Sequence, residues 1–88
     1  MGDVPNKRTI YVGNVGENWE ESVLIQAFQC FGPIETVSIN TKMDGSSRGN
    51  QRYAIIAFEE FLDATAAIDN MNENILFDRT LRVALAKQ

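Results

Sequence analysis

The chain has 88 residues, no histidine, a single cysteine and a net charge of −4. That length supports one small domain, and 44% hydrophobic with 23% charged residues is the composition of a folded chain. With Cys30 alone and no histidine, a Cys/His zinc site, an intrachain disulfide, and Ser-His-Asp or Cys-His catalysis are excluded.

Residues 1–7 read as a flexible leader without the apolar core of a secretory signal. Gly2 stands where a myristoylated glycine would, but Asn6 occupies the position that needs Ser or Thr. Thr9-Ile10-Tyr11-Val12, β-branched and aromatic, reads as a strand that Gly13-Asn14-Val15-Gly16 stops. Leu24, Ala27, Phe28 and Phe31 then recur at helical spacing, with Glu17, Glu20 and Glu21 at the N-terminal end where the macrodipole favours acid. Asn18 or Glu20 is the candidate cap, and Trp19 is placed to staple that end. Cys30 is expected to be a small helix or core residue, and a lone thiol fits a reducing, intracellular compartment.

Gly32-Pro33 ends the helix. Residues 34–40 alternate as a strand with Val37 and Ile39 inward, and residues 41–50 carry loop chemistry. Residues 52–58 form the strongest strand, apolar enough to be central. Residues 59–72 carry Ala64, Ala67, Ile68 and Met71 on one stripe, an amphipathic helix. After a loop holding Ile75, Leu76 and Phe77, residues 81–85 alternate as a last strand. The longest apolar run, Ala54-Ile55-Ile56-Ala57-Phe58, falls far short of the ~20 residues of a membrane span, so no membrane partner is expected.

The order β-α-β-β-α-β predicts an α+β, ferredoxin-like fold: a four-stranded antiparallel sheet with two helices on one face. Side chains alternate along a strand. With Ile10, Val12, Ala54, Ile56 and Phe58 turned to the helices, Tyr11, Tyr53, Ile55 and Ala57 face outward on two adjacent central strands. Ser38, Asn40 and Ala84 join them by the same alternation. An exposed aromatic pair has no folding role that burial would explain, and nucleic-acid bases stack on such rings.

Ile10-Tyr11-Val12-Gly13-Asn14-Val15 and Gln51-Arg52-Tyr53-Ala54-Ile55-Ile56-Ala57-Phe58 resemble the two signature motifs of the RNA recognition motif family. The resemblance spans residues 8–87 and implies one single-stranded RNA-binding domain. Bases would stack on Tyr11 and Tyr53 and a sugar would pack on Ile55. Backbone near the last strand would read base edges, and the sheet face as a whole would cover roughly two to four nucleotides. The longer motif usually opens with a basic residue and glycine; here those positions hold Gln51 and Arg52, and Arg48-Gly49 stands three residues earlier. Ile55 replaces an aromatic, so two rings stand where the family has three. Ala66-Ala67-Ile68-Asp69-Asn70-Met71-Asn72-Glu73 and Arg79-Thr80-Leu81-Arg82-Val83 further resemble the RNA-binding modules of cyclophilin E-like prolyl isomerases. That narrower likeness implies a nuclear pre-mRNA processing protein with a separate isomerase domain.

A net charge of −4 opposes phosphate binding. The helices hold much of the acid, however. Arg48, Arg52, Arg82, Lys42 and Lys87, with Lys7 and Arg8, are expected to border the open face. The expected affinity is therefore modest. The RNA-contact set is Tyr11, Tyr53, Ile55, Arg52, Gln51, Ser38, Asn40, Arg82, Ala84, Lys87 and Arg48. No cofactor or metal is expected, and Arg82 and Lys87 on an edge strand favour a monomer.

One other reading stays open, and no enzymatic activity is expected of this chain. A protein docked on Tyr11 and Tyr53 would make this an interaction module with weak or no RNA binding. A protein-binding offshoot of the family carries an Arg-x-Phe signature that Arg79-Thr80-Leu81 lacks. Phosphoanhydride hydrolysis, hosted elsewhere on this arrangement, needs an anion-cradling glycine loop beside an arginine; residues 13–16 are short and have no adjoining arginine in sequence.

Overall fold

The structure, a computed structural model, describes residues 8–43 and 50–86, the side chains of 42, 43, 50 and 51 excepted. The leader at 1–7, Arg48 and Lys87 lie outside the described residues, as do the side chains of Lys42 and Gln51.

The elements follow in the order β1 (Thr9–Gly13), α1 (Glu21–Phe28), a 3-10 turn (Gln29–Phe31), β2 (Ile34–Met43), β3 (Asn50–Phe58), α2 (Phe61–Met71), β4 (Ile75–Leu76), β5 (Arg79–Thr80) and β6 (Arg82–Leu85). The main sheet is antiparallel in the order β2-β3-β1-β6. The ferredoxin-like arrangement read from the sequence is thus the fold of the chain.

The core forms where the inner sheet face meets the apolar stripes of the helices. Ile10, Val12, Ala54, Ile56 and Phe58 from the strands are fully buried against Leu24 and Phe28 of α1 and Ala64 and Ala67 of α2. Val37, Ile39, Ile68 and Met71 pack around this cluster half-buried. Small residues on α2 let that helix approach the sheet closely, since Ala64 and Ala67 reach no further than a methyl group.

Several boundaries differ from the sequence reading. Residues 41–43 and 50 continue the strands instead of belonging to the loop, because paired backbones extend the ladder beyond the apolar pattern. α1 begins at Glu21 with Glu20 at the N-cap, and no side chain closes that cap. Phe31 falls in the 3-10 turn rather than the helix. Cys30 is exposed rather than buried, because the tighter turn rotates it off the apolar stripe. Gly32 follows with φ 153°, and a side chain there would collide with the Asp63 carboxylate.

The stretch read as a loop around Ile75, Leu76 and Phe77 is a small hairpin, with Ile75 opposite Thr80 and Leu76 opposite Arg79. Its two turn residues, Phe77 (φ 51°) and Asp78 (φ 66°), both occupy the left-handed region, as a two-residue primed turn requires. Strands of two residues carry no alternation by which a sequence could reveal them. The hairpin is tied back by Glu73 N–H donating to Leu81 O at 2.8 Å, and by Val83 N–H donating to Asn72 Oδ1 at 2.9 Å.

Candidate functional site

The registers place the outward side chains in rows across the sheet. Ser38, Ile55, Tyr11 and Ala84 stand opposite one another in one row, and Asn40, Tyr53, Gly13 and Arg82 in the next. Seven of the residues expected at the RNA face, Ser38, Asn40, Tyr53, Ile55, Tyr11, Arg82 and Ala84, are therefore brought together on the side away from the helices. Tyr11 is 38% exposed.

The two tyrosines are diagonal neighbours, one on each central strand. Their rings stack with centroids 5.5 Å apart and planes 24° from parallel. The geometry depends on Gly13, which in the sequence marks only the end of a strand. A Cβ built on Gly13 would lie 3.0 Å from both Cε1 and Oη of Tyr11. The ring of Tyr11 thus leans along its own strand over Gly13, into the space opposite Tyr53. The signal was present in sequence: a glycine two residues after an outward aromatic leaves that same face bare. Ser38 and Asn40 are joined by a 3.5 Å hydrogen bond from Asn40 Nδ2 to Ser38 Oγ.

Arg52 departs from expectation. It shares the parity of Ala54 and Ile56, so it emerges on the helix side of β3, not on the tyrosine face. Its Nη1 donates to Gly16 O at 2.7 Å and also to Glu17 O. Its observed role is to hold the β1–α1 loop. Arg79 does the same from the hairpin, with Nε donating to Asn14 O at 3.0 Å and Nη2 donating to Asn14 Oδ1 at 2.9 Å. Asn14, at φ 67°, returns a bond from Nδ2 to Thr80 O at 2.8 Å. The loop 13–16, with no arginine beside it in sequence, is therefore gripped by two in space. It offers them carbonyl oxygens, the reverse polarity of an anion cradle.

Among the described residues the expected basic rim is correspondingly thinner. Arg8 Nη1 turns to Glu59 O at 3.5 Å. Among the described side chains, Arg82 is the cation standing in a row with the tyrosines.

Trp19 is a packing residue. It is 9% exposed, covers Gly16, and meets Phe77 edge-on with centroids 5.8 Å apart and planes at 78°. Between this end of the sheet, the β1–α1 loop and the hairpin lies a cavity of about 760 Å³, reached by Tyr11, Tyr53, Phe77, Arg79 and Arg82. Among the described residues no cluster of His, Cys, Asp and Glu suits a metal ion, and no helix is long and apolar enough to cross a membrane.

The model of the RNA recognition motif matches residues 10–82. An uncharacterized RNA-binding protein of Schizosaccharomyces pombe is 41% identical over 80 residues, 91% of this chain and 66% of that protein. The chain thus spans just under two thirds of this relative's length. The structure of the N-terminal three RNA-binding domains of the yeast splicing factor Prp24 superposes with TM-score 0.78 at 29% identity, covering 93% of this chain and 34% of the other. The Rna15 RRM with bound GU RNA superposes at TM-score 0.72 and 22% identity over 92% and 84% of the two chains, a likeness of fold. The narrower likeness to cyclophilin E-like modules has no counterpart among these matches.

Proposed function

This chain belongs to the RNA recognition motif family, and we propose that it works as a single-stranded RNA-binding module through its open sheet face. The observation that carries the reading is the stacked pair Tyr11–Tyr53, held on the sheet face turned away from the helices. Unpaired bases stack on the outer faces of the two rings, each base contributing roughly 1–3 kcal/mol. Ile55, directly opposite Tyr11, packs a sugar or base edge. Ser38 and Asn40 supply polar groups on one flank, and Arg82 a phosphate contact on the other.

Few phosphate contacts mean modest affinity and a shallow dependence on salt. The module acts as a monomer. Its setting is nuclear pre-mRNA processing, within a longer protein that carries a separate prolyl isomerase domain. The first element is supported by the 29% identity to domains of a splicing factor, the second by the sequence likeness of the second helix and last strand alone. A second reading, a protein docked on the same face with weak or no RNA binding, is favoured by Ile55 in place of a third ring and by the net charge of −4.

An amide chemical-shift titration with a pool of short single-stranded RNAs, at two salt concentrations, tests the reading. Shifts centred on Tyr11, Tyr53, Ile55 and residues 83–86 that weaken with salt are expected. No movement at millimolar RNA, or movement confined to residues 42–48, would overturn it in favour of the protein partner.

A further inference from the structure

The hairpin presents an aromatic ring in an unusual way. Phe77 holds φ 51°, a conformation that bulky side chains rarely adopt and that costs roughly 1–2 kcal/mol relative to the right-handed region. The residue is nevertheless 66% exposed. Among the described residues its aromatic contact is with the buried Trp19, ring planes at 78°, and most of the residue stays open to solvent. Burial therefore does not explain why the turn carries a phenylalanine. Phe77 lines the same cavity as Tyr11 and Tyr53, and about 760 Å³ is ample for a nucleotide.

We infer that this cavity is a second base-binding subsite, in which Phe77 stacks one nucleobase of the same RNA strand beyond those held on the sheet. The inference rests on the RNA-binding reading and extends it off the sheet, to a ring that takes up the stacking lost with Ile55. The polar lining fits a nucleotide entering base first. Arg82, in the row of Tyr53, meets the phosphate where the strand leaves the sheet. Glu17 and Asp78 also line the cavity; carboxylates repel phosphate but accept hydrogen bonds from base amino groups. Arg79, anchored through Asn14, fixes part of the cavity wall.

The test uses the full chain with two probes, a random hexanucleotide RNA pool and a random dinucleotide pool. Trp19, the single tryptophan, lies against Phe77 and reports on the cavity by its emission. Phe77→Gly removes the ring while suiting the left-handed turn, so loss of folding does not confuse the result. The hexanucleotides should quench Trp19 in the unsubstituted chain. Phe77→Gly should abolish that quenching and weaken hexanucleotide binding roughly 5- to 150-fold, with dinucleotide binding unchanged. Tyr53→Ala should weaken both probes. If Phe77→Gly binds hexanucleotides as the unsubstituted chain does while Tyr53→Ala fails, the subsite is refuted and the sheet reading stands. Equal weakening of both probes by Phe77→Gly also refutes it, because the ring would then act through the sheet. If the unsubstituted chain binds neither probe, the RNA reading itself fails, and the exposed hairpin becomes a protein-docking element.

Discussion

Gly13 offers the sharpest test of how the sheet face is built. It closes β1 opposite Tyr53 and Arg82, beneath the ring of Tyr11. A Cβ there would stand 3.0 Å from Tyr11 Cε1 and Oη and 3.3 Å from Cζ, whereas carbon atoms settle at about 3.5–4.0 Å. Alanine would already displace the ring by some tenths of an ångström. Gly13→Val adds two methyl groups in the same space and drives Tyr11 out of register with Tyr53. The aromatic pair contributes about 0.5–1.5 kcal/mol, and relieving glycine inside a strand returns about 0.5–1 kcal/mol. The two nearly cancel, so Tm should stay within about 5 °C of the unsubstituted chain. Binding has no such compensation. Tilting one base platform removes about 1–2 kcal/mol, part of what a stacked base contributes, and affinity should fall roughly 5- to 30-fold. Anisotropy of a labelled random hexanucleotide RNA pool at about 0.1 M salt measures the affinity, and a circular-dichroism melt measures Tm. Unchanged affinity would refute the dependence of the site on the tyrosine pair. A drop in Tm beyond about 10 °C would show that Gly13 serves the fold instead.

Arg82→Ala should weaken RNA binding nearly uniformly across sequences and reduce the slope of log affinity against log salt by about 1, read from anisotropy over a salt series. Arg52→Ala should act on stability, because it strips the partner from Gly16 O and Glu17 O. A loss of about 2 kcal/mol and a Tm lower by about 10 °C are expected, while the folded fraction keeps its affinity. A selective loss of RNA binding with Tm unchanged would instead return Arg52 to the phosphate-contact role its sequence position implied. Phe28→Ala empties a fully buried site beneath the sheet and should cost about 3–5 kcal/mol, measured by urea unfolding.

The topology and most of the open face are legible in the order and alternation of the residues alone. Alternation is a local property of a strand, so the parity of Tyr11, Tyr53, Ile55, Ser38, Asn40 and Ala84 follows once each strand is recognised. The adjacency of the central strands follows from the order of elements. The same alternation, carried to Arg52, already put it on the helix side; motif position alone had placed it at the RNA face. Tertiary structure decided what depends on partners distant in sequence. Arg52 reaches loop carbonyls 36 and 35 residues away, and Arg79 reaches Asn14 across 65. No local pattern encodes those meetings, because they arise from the ends of separate elements converging when the sheet packs on its helices. The lean of Tyr11 over Gly13, the left-handed turn that exposes Phe77, and the cavity between them belong to the same class. Each depends on the space left when non-adjacent segments close together, a quantity that exists only in the folded chain.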